Sequence, residues 1–183
     1  MSQAQTPGHS GEAIVSLKVR PYGERSLILT TPALDLDDRL PDRHSAYHDN
    51  LSPPLVWTPV EDAAAYAIVV EDPDAPRERP FVHWLIWNIP GEATSLPEGL
   101  PNEASLGLIG GATQGRNDSG SIGWFGPRPP PGHGVHHYHI QIFALGARLP
   151  FGPETPLAQL VDALKGDALA SDDLVATYEA AGA

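Results

Sequence analysis

Between residues 115 and 138 the chain carries six glycines and four prolines, and it then runs straight into the alternating stretch HHYHIQIFAL at 136–145. No helix survives that composition: glycine raises the entropic cost of ordering, and proline removes ladder donors and clashes with the preceding turn. A continuous sheet ladder has no room before residue 135. Long irregular loops inside a compact domain are uncommon unless they serve a function or are disordered. This one also holds Trp124, Phe125 and Tyr138, which favours an ordered wall that delivers His136 and Tyr138 to one place.

The segments around the loop read mostly as strands. Residues 14–19 (IVSLKV) and 27–30 are short β-prone runs, and the polar, acidic stretch 31–50 reads as an extended loop. Residues 65–70 (AYAIVV) are apolar on both faces and fit a central strand. Residues 81–89 (FVHWLIWNI) alternate, placing Phe81, His83, Leu85 and Trp87 on one side and Val82, Trp84, Ile86 and Asn88 on the other. One clear helix is predicted at 155–165. There Thr155 caps, Pro156 opens the first turn, Leu157, Leu160, Val161 and Leu164 form a stripe, and Gly166 stops it. Residues 169–178 supply a last strand. The expectation is a mostly β protein, an antiparallel β-sandwich with one short helix near the C-terminus. Residues 1–12 read as a loose tail and 13–183 as a single domain.

Composition narrows the function. The 183 residues contain no cysteine, which removes disulfides, thiol nucleophiles and thiolate metal sites. The first residues show no basic-then-apolar leader and no apolar run reaches the length of a membrane span, so a cytoplasmic location without membrane insertion is expected. A net charge of −12 opposes nucleic acid and anionic lipid surfaces. Residues 104–153 depart from that balance. They hold Arg116, Arg128 and Arg148 against the single acid Asp118, a local charge of +2, with −14 left for the rest. Four of the eight histidines, His133, His136, His137 and His139, lie in the same span. Such a patch suits a small anion.

Three fragments combine into one candidate site. Asp72-Pro73-Asp74-Ala75-Pro76 follows the buried strand, so both carboxylates sit at a sandwich end on stiff backbone, and the tight Ala75-Pro76 corner invites a cis peptide. His83 lies close behind on the next strand. His136 and Tyr138 share a face with Ile140 and Ile142, which places them inward at the rim of the core. Inward polar groups need partners, and Asp72, Asp74 and His83 are available. Two enzymatic alternatives are weaker. His137-x-His139 has metal-binding spacing, yet both histidines lie on the face opposite His136, so no cofactor or metal is expected. A hydrolase using the His/Asp cluster lacks a nucleophile, because Gly120-Ser121-Ile122-Gly123 misses the Gly-x-Ser-x-Gly spacing.

In sequence order, Asp-Pro-Asp-Ala-Pro at 72–76, His83-Trp84, Gly-Arg-Asn-Asp-Ser-Gly at 115–120, Gly-Pro-Arg-Pro-Pro-Pro-Gly at 126–132 and His136-His137-Tyr138 resemble the phosphatidylethanolamine-binding protein family. The likeness is nearest to its bacterial branch of Raf kinase inhibitor-like proteins. It implies a β-sandwich whose small pocket takes phosphate or a phosphoethanolamine-like headgroup. The residues matching that pocket are Asp72, Asp74, His83, Gly126, Pro127, His136 and Tyr138, with the Gly126-Pro127 turn offering backbone N–H groups. His137 stands where many relatives carry Arg. The resemblance further implies a binding protein rather than an enzyme, a regulatory role toward a kinase or protease partner, and a homodimer. Trp84 would mark the dimer contact if its sheet face were bare.

Overall fold

The computed structural model describes residues 13–181, and their first element is a single helical turn where two valines sit four residues apart. This turn, α1 (Val15–Lys18), replaces the strand expected at 14–19. Val15 and Val19 are both buried on one side, a spacing that suits a helical face as well as a strand. The tail expected over residues 1–12 lies outside the described residues.

The strands follow as β1 (Leu29–Thr30), β2 (Leu55–Trp57), β3 (Ala65–Asp72), β4 (Phe81–Pro90), β5 (Ser95–Leu96), β6 (Ser105–Leu106), β7 (Ala112–Gln114), β8 (His136–Leu145) and β9 (Ala168–Tyr178). Helix α2 (Leu157–Asp167) precedes β9. A three-stranded sheet, β1-β2-β5, packs over one face of a six-stranded sheet ordered β6-β7-β4-β3-β8-β9. Every strand pairing is antiparallel. The result is the expected mostly β sandwich with its short helix late in the chain, and β3 is central as its two apolar faces require.

Both faces of the large sheet are covered. Between the sheets lie Tyr66, Ile68, Trp84, Ile86, Trp124 and Ile142. On the far face α1 and α2 bury Ala67, Val69, Leu85, Trp87, Phe143 and Leu160. Burying a large apolar side chain of this kind contributes roughly 1.5–3 kcal/mol. Trp84 is fully buried, its Nε1–H donating to Gln114 Oε1 at 2.7 Å and its ring edge-on to Trp124. It is therefore a core residue and cannot serve as a dimer contact.

Helix α2 also departs from its sequence reading. Pro156 caps it without a side-chain bond, Thr155 Oγ1 donates back to Gly152 O at 2.7 Å, and the helix continues through Gly166 to Asp167. Ala168 begins β9 at once, opposite Leu145 of β8.

One irregularity in β4 positions the site. Val70 faces Trp84 and Glu71 faces Val82, so His83 is an extra residue with no partner across β3. Such a β-bulge lets neighbouring side chains leave the strand on the same side. Val82 goes to the helix face, while Trp84 enters the inter-sheet core and His83 meets Tyr138 of that core. The strict alternation read from the sequence put Trp84 opposite His83; the bulge turns them to one side.

Candidate functional site

At the rim of the inter-sheet core the ends of β3, β4 and β8 meet the glycine- and proline-rich loop. Asp72 is the last residue of β3, on the face that Ile68 and Val70 bury. His136 opens β8 on the face of Ile140 and Ile142. Their side chains meet at 2.7 Å between Asp72 Oδ2 and His136 Nδ1, both almost fully buried. The other carboxylate oxygen, Oδ1, accepts the Asp74 amide at 2.8 Å. A carboxylate can only accept, so His136 carries its proton on Nδ1 and turns Nε2 away from Asp72.

That Nε2 has a partner too. His133, on the loop, brings its Nδ1 to 2.7 Å from it. With His136 accepting at Nε2, His133 donates from Nδ1.

His83 is held by the loop it borders. Phe125 donates its amide to His83 O at 3.0 Å, and Phe125 O accepts from His83 Nδ1 at 2.5 Å. The loop is thereby laid along β4, fastened further by Asp118, whose carboxylate takes the Val82 amide and the Arg77 and Arg79 guanidinium groups. Burial pushes the His83 pKa below the ordinary imidazole value, outweighing the opposing pull of Asp72. His83 is thus a neutral imidazole whose spare nitrogen, Nε2, offers a lone pair.

Tyr138 stands behind both imidazoles, edge-on to His83 with ring centroids 5.1 Å apart and 6.5 Å from His136. Its buried hydroxyl finds no hydrogen-bond partner among the described residues. Burial, helped by the charges of Asp72 and Asp74, drives its pKa far up, so it stays a donor. An unpaired buried hydroxyl costs about 1–3 kcal/mol.

A cavity of about 150 Å³ is walled by Asp72, His83 and His136, by Phe81 and Phe125, and by prolines of the loop and the β3–β4 corner, with Tyr138 buried behind that wall. Arg128 joins the wall as an exposed side chain resting over the Tyr47 ring, 5.6 Å from its centroid.

Three expected site residues stand elsewhere. Asp74 turns to the other face of β8, where Oδ2 accepts the His137 amide and pairs with His137 Nδ1, both at 2.8 Å. The Gly126 amide is spent on Asn50 Oδ1 at 2.7 Å, and Pro127 has no N–H to give. Gly126 has a packing reason instead: a Cβ there would lie 2.0 Å from His44 O. Pro127 O accepts from the Ala46 amide and Ser45 Oγ, so this turn anchors the loop to residues 44–50. The backbone amides expected to cradle an anion are structural. The Ala75–Pro76 corner is trans, as is every peptide among the described residues.

His137 and His139 do not act as a pair, since Asp74 takes one and Asp173 the other at 2.8 Å. Ser119 and Ser121 bond to Asn117. A larger groove of about 720 Å³ runs beneath α2 on the opposite sheet face. Among its bordering charges, Arg116 pairs with Glu154, Arg79 with Asp118 and Lys165 with Asp162.

A model of the phosphatidylethanolamine-binding protein family matches residues 30–179 of the chain. The chain belongs to that family. Among its relatives, a UPF0098 protein of Pyrococcus abyssi is 35% identical over 158 residues, covering 86% of this chain and 88% of the relative. The Escherichia coli UPF0098 protein YbcL is 36% identical over 132 residues, covering 71% and 72%. The crystal structure of YbcL, described as a new member of the mammalian PEBP family, superposes with a TM-score of 0.77, covering 84% of this chain and 98% of that one. A putative PEBP homologue from Chlamydia trachomatis, CT736, gives 0.75 at 29% identity, covering 86% and 99%.

Within this PEBP-family chain the structure adds two groups that the motifs did not single out. Arg128 was visible as one charge in the basic span and as a member of the 126–132 fragment, with no role attached. His133 was visible only as one of four clustered histidines. Neither belongs to a periodic pattern, because both sit on irregular loop. Among the described residues no helix is long and apolar enough to cross a membrane.

Proposed function

We propose that the chain is a non-enzymatic binding protein for a small phosphate-type anion, free or as the headgroup of a phosphoethanolamine-like zwitterion. The observation that carries this reading is the rim cavity itself. Neutral His83, the Asp72–His136 pair and a mobile-length cation, Arg128, converge there on a molecule of net charge −12. Its volume of about 150 Å³ suits a headgroup, well short of the ~300 Å³ and upward of sites that bury drug-sized ligands. An acyl chain would therefore remain outside.

The chemistry of binding follows from the proton positions. Arg128 supplies the charge-assisted contact at the mouth. Inside, His83 Nε2 has a lone pair, so an anion oxygen reaching it must arrive with a proton. Either the ligand brings a P–OH, or the imidazole takes a proton from solvent, and Asp72 favours the second. The regulatory role toward a kinase or protease belongs to this reading as its downstream use, with the bound headgroup as the signal.

Isothermal titration with inorganic phosphate, phosphoethanolamine and sulfate tests it. The reading expects saturable binding of phosphate or phosphoethanolamine that weakens in Arg128→Ala and His83→Ala. Heats that match dilution for all three anions would overturn it.

A further inference from the structure

His136 is a wall of the cavity, but His133, which bonds to it, is not. Asp72 and His136 are buried, whereas His133 is exposed, on a loop tip flanked by Gly132 and Gly134 with left-handed φ of +77° and +86°. The three side chains form one line: carboxylate Oδ2 to Nδ1–H at 2.7 Å, then Nε2 to Nδ1–H at 2.7 Å. The line ends at His133 Nε2, which has no bond among the described residues. An imidazole acts as a nucleophile when its far N–H can pass a proton to a base that is itself held by a carboxylate. A structural tie between strands would not lead out to an exposed loop tip.

We propose that His133 Nε2 is a phosphoryl-acceptor site, activated through His136 by Asp72. The donor class is a reactive phosphoryl compound, an acyl phosphate or a phosphoramidate. The Nε2 lone pair attacks phosphorus and a P–N bond forms. The donor's P–O or P–N bond breaks, and acetate or ammonia departs with the electron pair. As positive charge develops on the His133 ring, its Nδ1 proton passes to His136 Nε2. The resulting imidazolium sits against the Asp72 carboxylate and later releases that proton to solvent. No redox partner is needed, and His136 and Asp72 act as positioning residues. Occupancy of the cavity is not required, so this inference stands or falls separately from anion binding.

The structure holds its own control. His48 is also exposed, near Asp42 at 3.9 Å, and has no imidazole relay. The full chain is incubated with phosphoramidate and, separately, acetyl phosphate, and followed by intact mass and by nitrogen-15 and phosphorus-31 NMR. The expected product is one acid-labile phosphoryl group on His133 Nε2, forming at least about ten-fold faster than on His48, in line with the gain from a positioned base. His133→Ala, a surface change that leaves the core untouched, removes it. Asp72→Asn and His136→Phe each bring the His133 rate down to that of His48. Should either variant fold poorly, the wild-type ratio of His133 to His48 still decides. Equal rates at the two histidines, attachment at Nδ1, or a phosphoryl group that survives His133→Ala would each overturn the proposal.

Discussion

Asp72 Oδ2 and His136 Nδ1 lie 2.7 Å apart, and both side chains are nearly sealed from solvent. The pair joins the end of β3 to the start of β8 and sets which nitrogen of His136 carries the proton. Both Asp72 oxygens accept, the second from the Asp74 amide. Asparagine has one acceptor, so Asp72→Asn sets an N–H against one of the two donors. Urea denaturation is expected to show a loss of about 1–3 kcal/mol. A change below the error of the measurement would mean that the contact does not hold the site.

Tyr138→Phe removes a buried hydroxyl with no partner. The free protein is expected to gain about 1 kcal/mol, while phosphate affinity is expected to stay unchanged, because Tyr138 lies behind the cavity wall. A stability loss would show that the hydroxyl is already paired.

Arg128 is exposed and makes its only described ring contact with Tyr47. Arg128→Ala is expected to lower the melting temperature by no more than about four degrees, since an exposed contact of that kind contributes only ~0.5–1 kcal/mol. Phosphate affinity is expected to fall about ten-fold, and what remains should depend less on salt. Unchanged affinity in a calorimetric titration would remove Arg128 from the site.

Acid should weaken the fold through His83 and His44, because burial lowers the pKa of each. In the unfolded chain both take up protons as pH falls below about 6.5. The folded protein takes them up only at lower pH, so stability is full above about 6.5 and declines below it. Thermal melts between pH 8 and 5 are expected to show that fall, and His83→Phe should flatten part of it. Bound sulfate, an anion that does not titrate in this range, should oppose the decline by favouring protonated His83.

Strands with uniform alternation were legible in the sequence. The inward facing of His136 and Tyr138 follows from Ile140 and Ile142, and β8 keeps that parity because its only register shift comes at Ala144–Leu145. Residues 65–70 read as central for an equally local reason. His83 was read as lying close behind Asp72, and it borders the same cavity, but it was turned wrongly relative to Trp84, since a bulge is set by the neighbouring loop rather than by the strand's own pattern. Asp74 was legible as a corner carboxylate, but its pairing with His137 depends on how the β3–β4 corner wraps the start of β8. The Gly126 amide was read as a ligand donor because nothing local foretells Asn50, 76 positions earlier, as its acceptor. The turn at α1 looked like a strand because Val15 and Val19 suit either form, and the Val15 amide settles it by donating to buried Glu71 at 2.8 Å.

The central claim is that His83 and His136 border a working anion site. Nitrogen-15 NMR of the imidazole rings during titration with inorganic phosphate at constant pH and ionic strength tests it most directly. Saturable shifts are expected for His83 and His136, with His83 Nε2 moving toward the protonated position, while exposed His48 follows only the bulk solution. Shifts that never saturate, or that are equal in all histidines, would contradict it.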